Sequence, residues 1–116
     1  MMRRGEIRIV NLSPTLGAEA AQTRPAVIVS NDGANTTAAR LGHGVVTVVP
    51  ITSNTERVHP FQVLLVAADT GLERDSKAQA EQVRSISIEQ VGRLIGQVPF
   101  DLMAHLDDAL RLHLAL

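Results

Sequence analysis

The sequence predicts an α+β fold in which five or six short strands form a small curved antiparallel sheet or barrel and a helix closes the chain. Three observations lead there. Short runs of branched apolar residues alternate with clusters of Pro, Gly, Ser and Asn up to about residue 98. After that the apolar spacing changes to three and four, with Met103, Leu106, Leu110 and Leu114 on one stripe. And 116 residues, 45% of them hydrophobic, suit one domain spanning 1–116.

The elements follow in order. Glu6 to Leu12 reads as a first strand that Ser13-Pro14 stops. Residues 13–24 carry no clean period and are longer than a usual hairpin connection, which marks a functional or mobile loop. Ala26 to Val29 is a short buried strand ending in the turn cluster Ser30-Asn31-Asp32-Gly33, and residues 34–41 hold one helical turn. Val45 to Ile51 is a strong strand in which Pro50 marks an edge, a bulge or an end. Phe61 to Ala67 is a strand, and Asp69-Thr70-Gly71 a turn. Glu81 to Ile88 alternates polar and apolar with one slip, a half-buried strand. Ser87 with Gln90 fits a capping box that opens a short helix. Leu94 to Val98 is a last strand, and residues 100–115 are the terminal amphipathic helix, with Asp101 at its positive end and Arg111 and His113 at its negative end.

Composition excludes several classes. There is no cysteine, hence no disulfide framework, thiol nucleophile or sulfur-ligated metal. The four histidines show no ligand spacing, so neither a metal nor a cofactor is expected. No apolar stretch approaches the roughly 18 residues of a spanning helix, and the start shows no secretory signal, so a cytoplasmic protein away from membranes is expected. Net charge is -1 and the aromatics number two, which argues against sequence-blind nucleic-acid binding by stacking. The charge is nevertheless uneven. Residues 1–60 carry six arginines against four acids, and residues 61–116 five bases against eight acids.

Three groups of residues remain as chemistry. Arg24-Pro25 stands where the long loop enters an apolar strand, and proline fixes the backbone that carries the guanidinium. Thr52, Ser53 and Asn54 follow the end of the strongest strand with two hydroxyls and an amide. Gln82 and Arg84 lie two apart, on one face of a strand, and either present donors to a ligand or cover the wet side of a sheet. None of these decides a function alone.

In order along the chain they resemble the MazF/PemK family, toxins of bacterial toxin–antitoxin modules that cut messenger RNA without the ribosome. The resemblance is carried by RPAVIVSND at 24–32, VVPITSN at 48–54, HPFQV at 59–63 and LERDS…EQVRSIS at 72–87. Arg4-Gly5-Glu6-Ile7 and Gly17-x-Glu19 also match. The resemblance implies an SH3-like bent sheet and a homodimer that holds single-stranded RNA in a groove. It places the catalytic arginine on Arg24, the catalytic threonine on Thr52 and an acid, as base or as orienter of Arg24, on Glu19. It implies RNA contacts at Gly17, Gln22, Ser53 and Asn54 in the loops and at Glu81, Gln82 and Arg84. The implied reaction is attack of the substrate 2′-hydroxyl on the adjacent phosphorus, giving a 2′,3′-cyclic phosphate without metal, and the implied regulator is a cognate antitoxin with an acidic tail.

An internal nucleophile needs no activated serine, cysteine or metal-bound water, and the enzyme has chiefly to orient a phosphate and stabilise its charge. A guanidinium forks onto phosphate well but holds its proton at neutral pH, so it is a poor general base. Arg8, Lys77 and Gln90 depart from the family pattern, where an aromatic, an apolar residue and an arginine before leucine are common. The alternative is a gyrase poison of the CcdB type, which shares the fold and acts by binding; the ending LHLAL lacks the tryptophan of that group.

Overall fold

The computed structural model describes residues 2–12 and 23–116. The branched runs become strands because both faces of the resulting sheet are covered. Strands β1 (Glu6–Asn11), β2 (Thr23–Ile28), β3 (Val45–Thr52), β4 (Gln62–Leu65), β5 (Ser76–Gln79), β6 (Arg84–Ser87) and β7 (Val91–Gln97) lie in the order β4-β5-β3-β2-β1-β7, with β6 beside β3. Every pairing is antiparallel. Alternation along the strands divides the apolar residues between two cores. Ile7, Val27, Val49 and Ile51 pack under the helix α3 (Phe100–Leu114) through Met103 and Leu106. Val10, Ala26, Ile28, Val46 and Val48 meet Ala38 of the helix α1 (Asp32–Leu41) on the opposite face. Arg4 anchors the chain entry to both sides, donating to Val29 O at 2.8 Å and pairing with Asp107 of α3 at 2.6 Å.

The α+β class, the C-terminal helix and most strands agree with the sequence reading; the differences have local causes. The sheet is open between β4 and β7 among the described residues, so it does not close as a barrel. α1 runs ten residues instead of one turn. Its Gly, Asn and Thr content disguises it, but Asn31 caps the start by accepting from Ala34 N at 2.8 Å and Gly42 ends it at φ 72. Asn35 on its inner side is fully buried and bonds to Ser30. Pro50 does not end β3, which runs on to Thr52 and is central, with β2 on one side and β6 then β5 on the other. Pro50 falls between the last β6 partner (Val48) and the first β5 partner (Ile51), where a missing N–H interrupts least.

β5 was not expected, since Ser-Lys-Ala-Gln has no strand signature; it is held by ladders on both sides. The strand expected at 81–88 is only Arg84–Ser87, and the slip marks the 3-10 turn Ala80–Gln82 before it. The Ser87–Gln90 capping box is complete, although it opens a 3-10 turn of three residues, Ile88–Gln90, instead of a helix. β7 starts at Val91, three residues ahead of the expected strand. A four-residue helix, α2 (Ala67–Thr70), follows β4. No helix among the described residues is long and apolar enough to cross a membrane.

Candidate functional site

Arg24 and Thr52 line one cavity near the ends of β2 and β3. The β2–β3 ladder pairs Ile28 with Val48, Val27 with Val49 and Ala26 with Pro50, and stops there. Carrying that register on by two residues sets Arg24 opposite Thr52, and directly opposed residues of an antiparallel pair share a face. Pro50 on the last rung and Pro25 next to it have no N–H to extend a ladder, so the strands part at this point. The parting opens a cavity of about 640 Å³ that both Arg24 and Thr52 line, with Pro25, Ile51 and Ile9 as apolar floor.

The loop after β3 sets the threonine hydroxyl. Thr52 Oγ1 accepts from the Asn54 amide at 3.3 Å, and Asn54 Oδ1 in turn accepts from the Glu56 amide at 3.2 Å. The amide occupies a lone pair, which leaves the hydroxyl hydrogen for an acceptor in the cavity. Ser53 lies on the rim. Lys77, opposite Thr52 on β5 and buried, donates from Nζ to the Arg57 carbonyl at 2.5 Å and ties down the far side of the same loop.

The opposite wall comes from the turn after α2 and from β7. Gly71 has φ 88, and a side-chain carbon there would stand 2.9 Å from Ile95 O. One on Gly96 would land on the Thr70 carbonyl oxygen. Only a glycine pair lets this turn lie so close to β7. The contact brings Glu73, Arg74 and Ser76 to the cavity beside Arg93 and Ile95. Among the described residues Arg24, Arg74 and Arg93 make no ion pair, and Glu73 is the one carboxylate lining the cavity.

A larger hollow, about 880 Å³, lies between β4 and α3, but Asp69, Asp101 and Asp108 line it and, among the described residues, no lysine or arginine does. Size alone would favour it; for an anionic ligand the charge decides for the Arg24 cavity.

The remaining sequence-predicted residues divide. Gly17, Glu19 and Gln22 lie outside the described residues. Asn54 turns to a separate hollow of about 430 Å³ with Glu56, Arg57 and Lys77. Glu81 is not among the cavity residues: its carboxylate accepts from Gln62 Nε2 at 2.7 Å, on the β4 side. Gln82 and Arg84 are exposed, Arg84 opposite Val48 on β6, away from the cavity lining. Phe61 stacks on His59 with ring centroids 5.1 Å apart.

Sequence reasoning missed Arg74, Arg93, Glu73 and Ser76. Glu73, Arg74 and Ser76 stood within the LERDS motif, and Arg93 lay outside every motif. Gln90, a departure from the family pattern, completes the capping box and donates to Asn11 O at 2.8 Å. Arg8, the other departure in the sheet, pairs with Glu6 at 2.9 Å and donates to Gly92 O at 3.1 Å.

Comparison with known proteins identifies the family and the fold. Residues 3–114 match the family described as PemK-like, MazF-like toxin of type II toxin–antitoxin system. The chain is 62% identical over 116 residues to endoribonuclease MazF9 of Mycobacterium tuberculosis, covering all of this chain and 98% of that protein. It is 31% identical over 117 residues to endoribonuclease EndoA of Bacillus subtilis, covering all of this chain and 97% of the relative. Among solved structures, a mycobacterial endoribonuclease in complex with its cognate antitoxin superposes with TM-score 0.79 at 23% identity, over 100% of this chain and 97% of that one. MazF of Deinococcus radiodurans superposes at 0.75 and 23% identity, over 99% and 97% of the two chains. These two structures bear on the fold.

Proposed function

Because the chain belongs to the PemK-like, MazF-like family of type II toxin–antitoxin toxins, we propose that it is an endoribonuclease that cuts single-stranded RNA with the substrate's own 2′-hydroxyl. Residues 1–116 act as one catalytic domain. The bond from the 2′-oxygen to phosphorus forms, the bond from phosphorus to the 5′-oxygen breaks, and the products are a 2′,3′-cyclic phosphate and a 5′-hydroxyl. The 2′-hydroxyl proton goes to a base, and the leaving 5′-oxygen gains one.

The observation that carries this reading is that Arg24 and Thr52, just beyond the last β2–β3 rung, line one cavity. The Arg24 guanidinium forks onto the non-bridging oxygens as their charge grows, and the Thr52 hydroxyl adds a neutral donor. The proton acceptor is a carboxylate, Glu19 of the loop or Glu73 of the cavity wall, since a guanidinium does not give up its proton at neutral pH. No step requires a metal or an organic cofactor. Ser53, Asn54, Gly17 and Gln22 contact RNA from the flanking loops, with Glu81, Gln82 and Arg84 further along the chain. Unpaired RNA is the substrate because only there are base edges accessible to short loops.

The toxin works in the cytoplasm as a homodimer. A cognate antitoxin binds and restrains it; a mycobacterial endoribonuclease of the same fold is solved in complex with its own antitoxin. The gyrase-poison alternative is not favoured, because MazF9 and EndoA, which the chain matches over nearly their whole length, are endoribonucleases.

The test is incubation of the purified protein with a long single-stranded RNA in EDTA. Cleavage is expected, and Arg24→Ala, with its melting temperature unchanged, loses at least about 100-fold in rate. Undiminished cleavage by Arg24→Ala contradicts the assignment.

A further inference from the structure

β7 departs from regular pairing with β1 at two places. Pairing with β1 runs Glu6 with Gln97, Ile7 with Gly96, Arg8 with Leu94 and Val10 with Val91, so β7 holds two residues more than its partner. Ile95 is one extra residue, and Gly92 and Arg93 together face Ile9. Bulges of this kind re-aim side chains and collect beside active sites. Both bulged segments send a residue to the cavity, Ile95 and Arg93. The bulge at 92–93 is also built tightly: a side-chain carbon on Gly92 would stand 2.9 Å from Ile9 O, and Arg8 holds the Gly92 carbonyl.

The same rung continues across the sheet. Ile9 pairs with Pro25, the neighbour of Arg24. Arg93 therefore sits two strands from Arg24, about 10 Å at the backbone, and side chains that converge on one cavity close part of that distance. Arg74 reaches the same cavity from the Gly71 turn. Neither arginine has a carboxylate partner among the described residues. Holding unpaired guanidiniums of like charge around one hollow costs energy that an anion would return. One phosphate occupies Arg24, so the others face a second.

We infer that Arg93, assisted by Arg74, holds the phosphate next to the scissile one and so fixes the strand for attack at Arg24. This rests on the nuclease reading above. Arg93 binds RNA in ground and transition state alike, so its loss appears in KM and leaves kcat nearly unchanged, whereas Arg24 acts on kcat.

The experiment is a chemical double-mutant cycle. A short RNA with one mapped cleavage position carries an uncharged methylphosphonate at the linkage on one side of the cut, or on the other. Wild type and Arg93→Gln are compared on both and on the unmodified RNA. Removing the flanking charge on one side raises KM of wild type about 10- to 100-fold, the size of a charge-assisted hydrogen bond. In Arg93→Gln that penalty largely disappears. Arg93→Gln also flattens the salt dependence of RNA binding by about 0.7 in log–log slope, and Arg93→Lys recovers that slope. Independent, multiplicative penalties in the cycle overturn the inference while leaving the nuclease intact, as does insensitivity of wild type to both substitutions. If wild type fails to cut the unmodified RNA, the nuclease reading falls and this one with it.

Discussion

Gly71→Ala is the substitution through which the packing behind the cavity is best weighed. Gly71 has φ 88, where an L side chain costs roughly 1–2 kcal/mol. The added carbon would also stand 2.9 Å from Ile95 O and 3.2 Å from Gly96 Cα. Both are backbone atoms of β7, so no side chain can swing away, and forced overlap of this kind costs about 1–3 kcal/mol. The sum is about 2–5 kcal/mol. Gly42→Ala provides the comparison. Its φ is 72, it caps α1, and nothing lies within 4 Å of an added carbon, so only the conformational cost of about 1–2 kcal/mol applies. Scanning calorimetry at one fixed protein concentration reads both variants. At roughly 4 °C per kcal/mol for a chain of this size, Gly71→Ala melts about 8–20 °C lower and Gly42→Ala about 4–8 °C lower. Below its melting point Gly71→Ala also cuts RNA more slowly, because the turn bearing Arg74 has moved from β7, while Gly42→Ala keeps its rate. Equal losses of stability in the two variants would refute the idea that a glycine contact clamps this wall.

Two further outcomes follow from the other wall. Thr52→Val, which keeps shape and removes the donor, lowers kcat by about 10- to 100-fold and Thr52→Ser restores most of it; equal activity of the Val variant in steady-state kinetics rules out a role for the hydroxyl. Lys77→Met keeps the buried stem but loses the bond to the Arg57 carbonyl. Hydrogen exchange at residues 53–58 then speeds about tenfold or more, with global stability little changed, because the loosened loop opens locally; unchanged exchange there shows that Lys77 does not hold the loop.

The sequence was most legible where an element's own residues determine it. β1, β3 and α3 announce themselves by periodicity, because each buries a stripe of its own. β5 does not, since Ser76–Gln79 is a strand only by virtue of its two neighbours. α1 was shortened in the reading because its capping by Asn31 and Gly42 outweighs a poor composition. The same division runs through the site. Arg24 and Thr52 stand near strand ends within one or two residues of a proline and could be read in order along the chain. Arg93 could not, because its aim depends on a bulge whose register is set by β1. Arg74 could not either, because it reaches the cavity only through the close approach of Gly71 to β7. Both are consequences of tertiary contact, and residue spacing carries no trace of them.

The account's central claim is that the substrate supplies the nucleophile and that Arg24 and Thr52 orient it. An RNA oligonucleotide with deoxyribose only at the cut position tests this most directly, with binding and cleavage followed together. Binding is predicted to stay within a few-fold of the all-ribose strand, with no cleavage at that linkage and no cyclic phosphate. Cleavage of the deoxy linkage at a comparable rate would contradict the account, since it would require a nucleophile from water or from the protein.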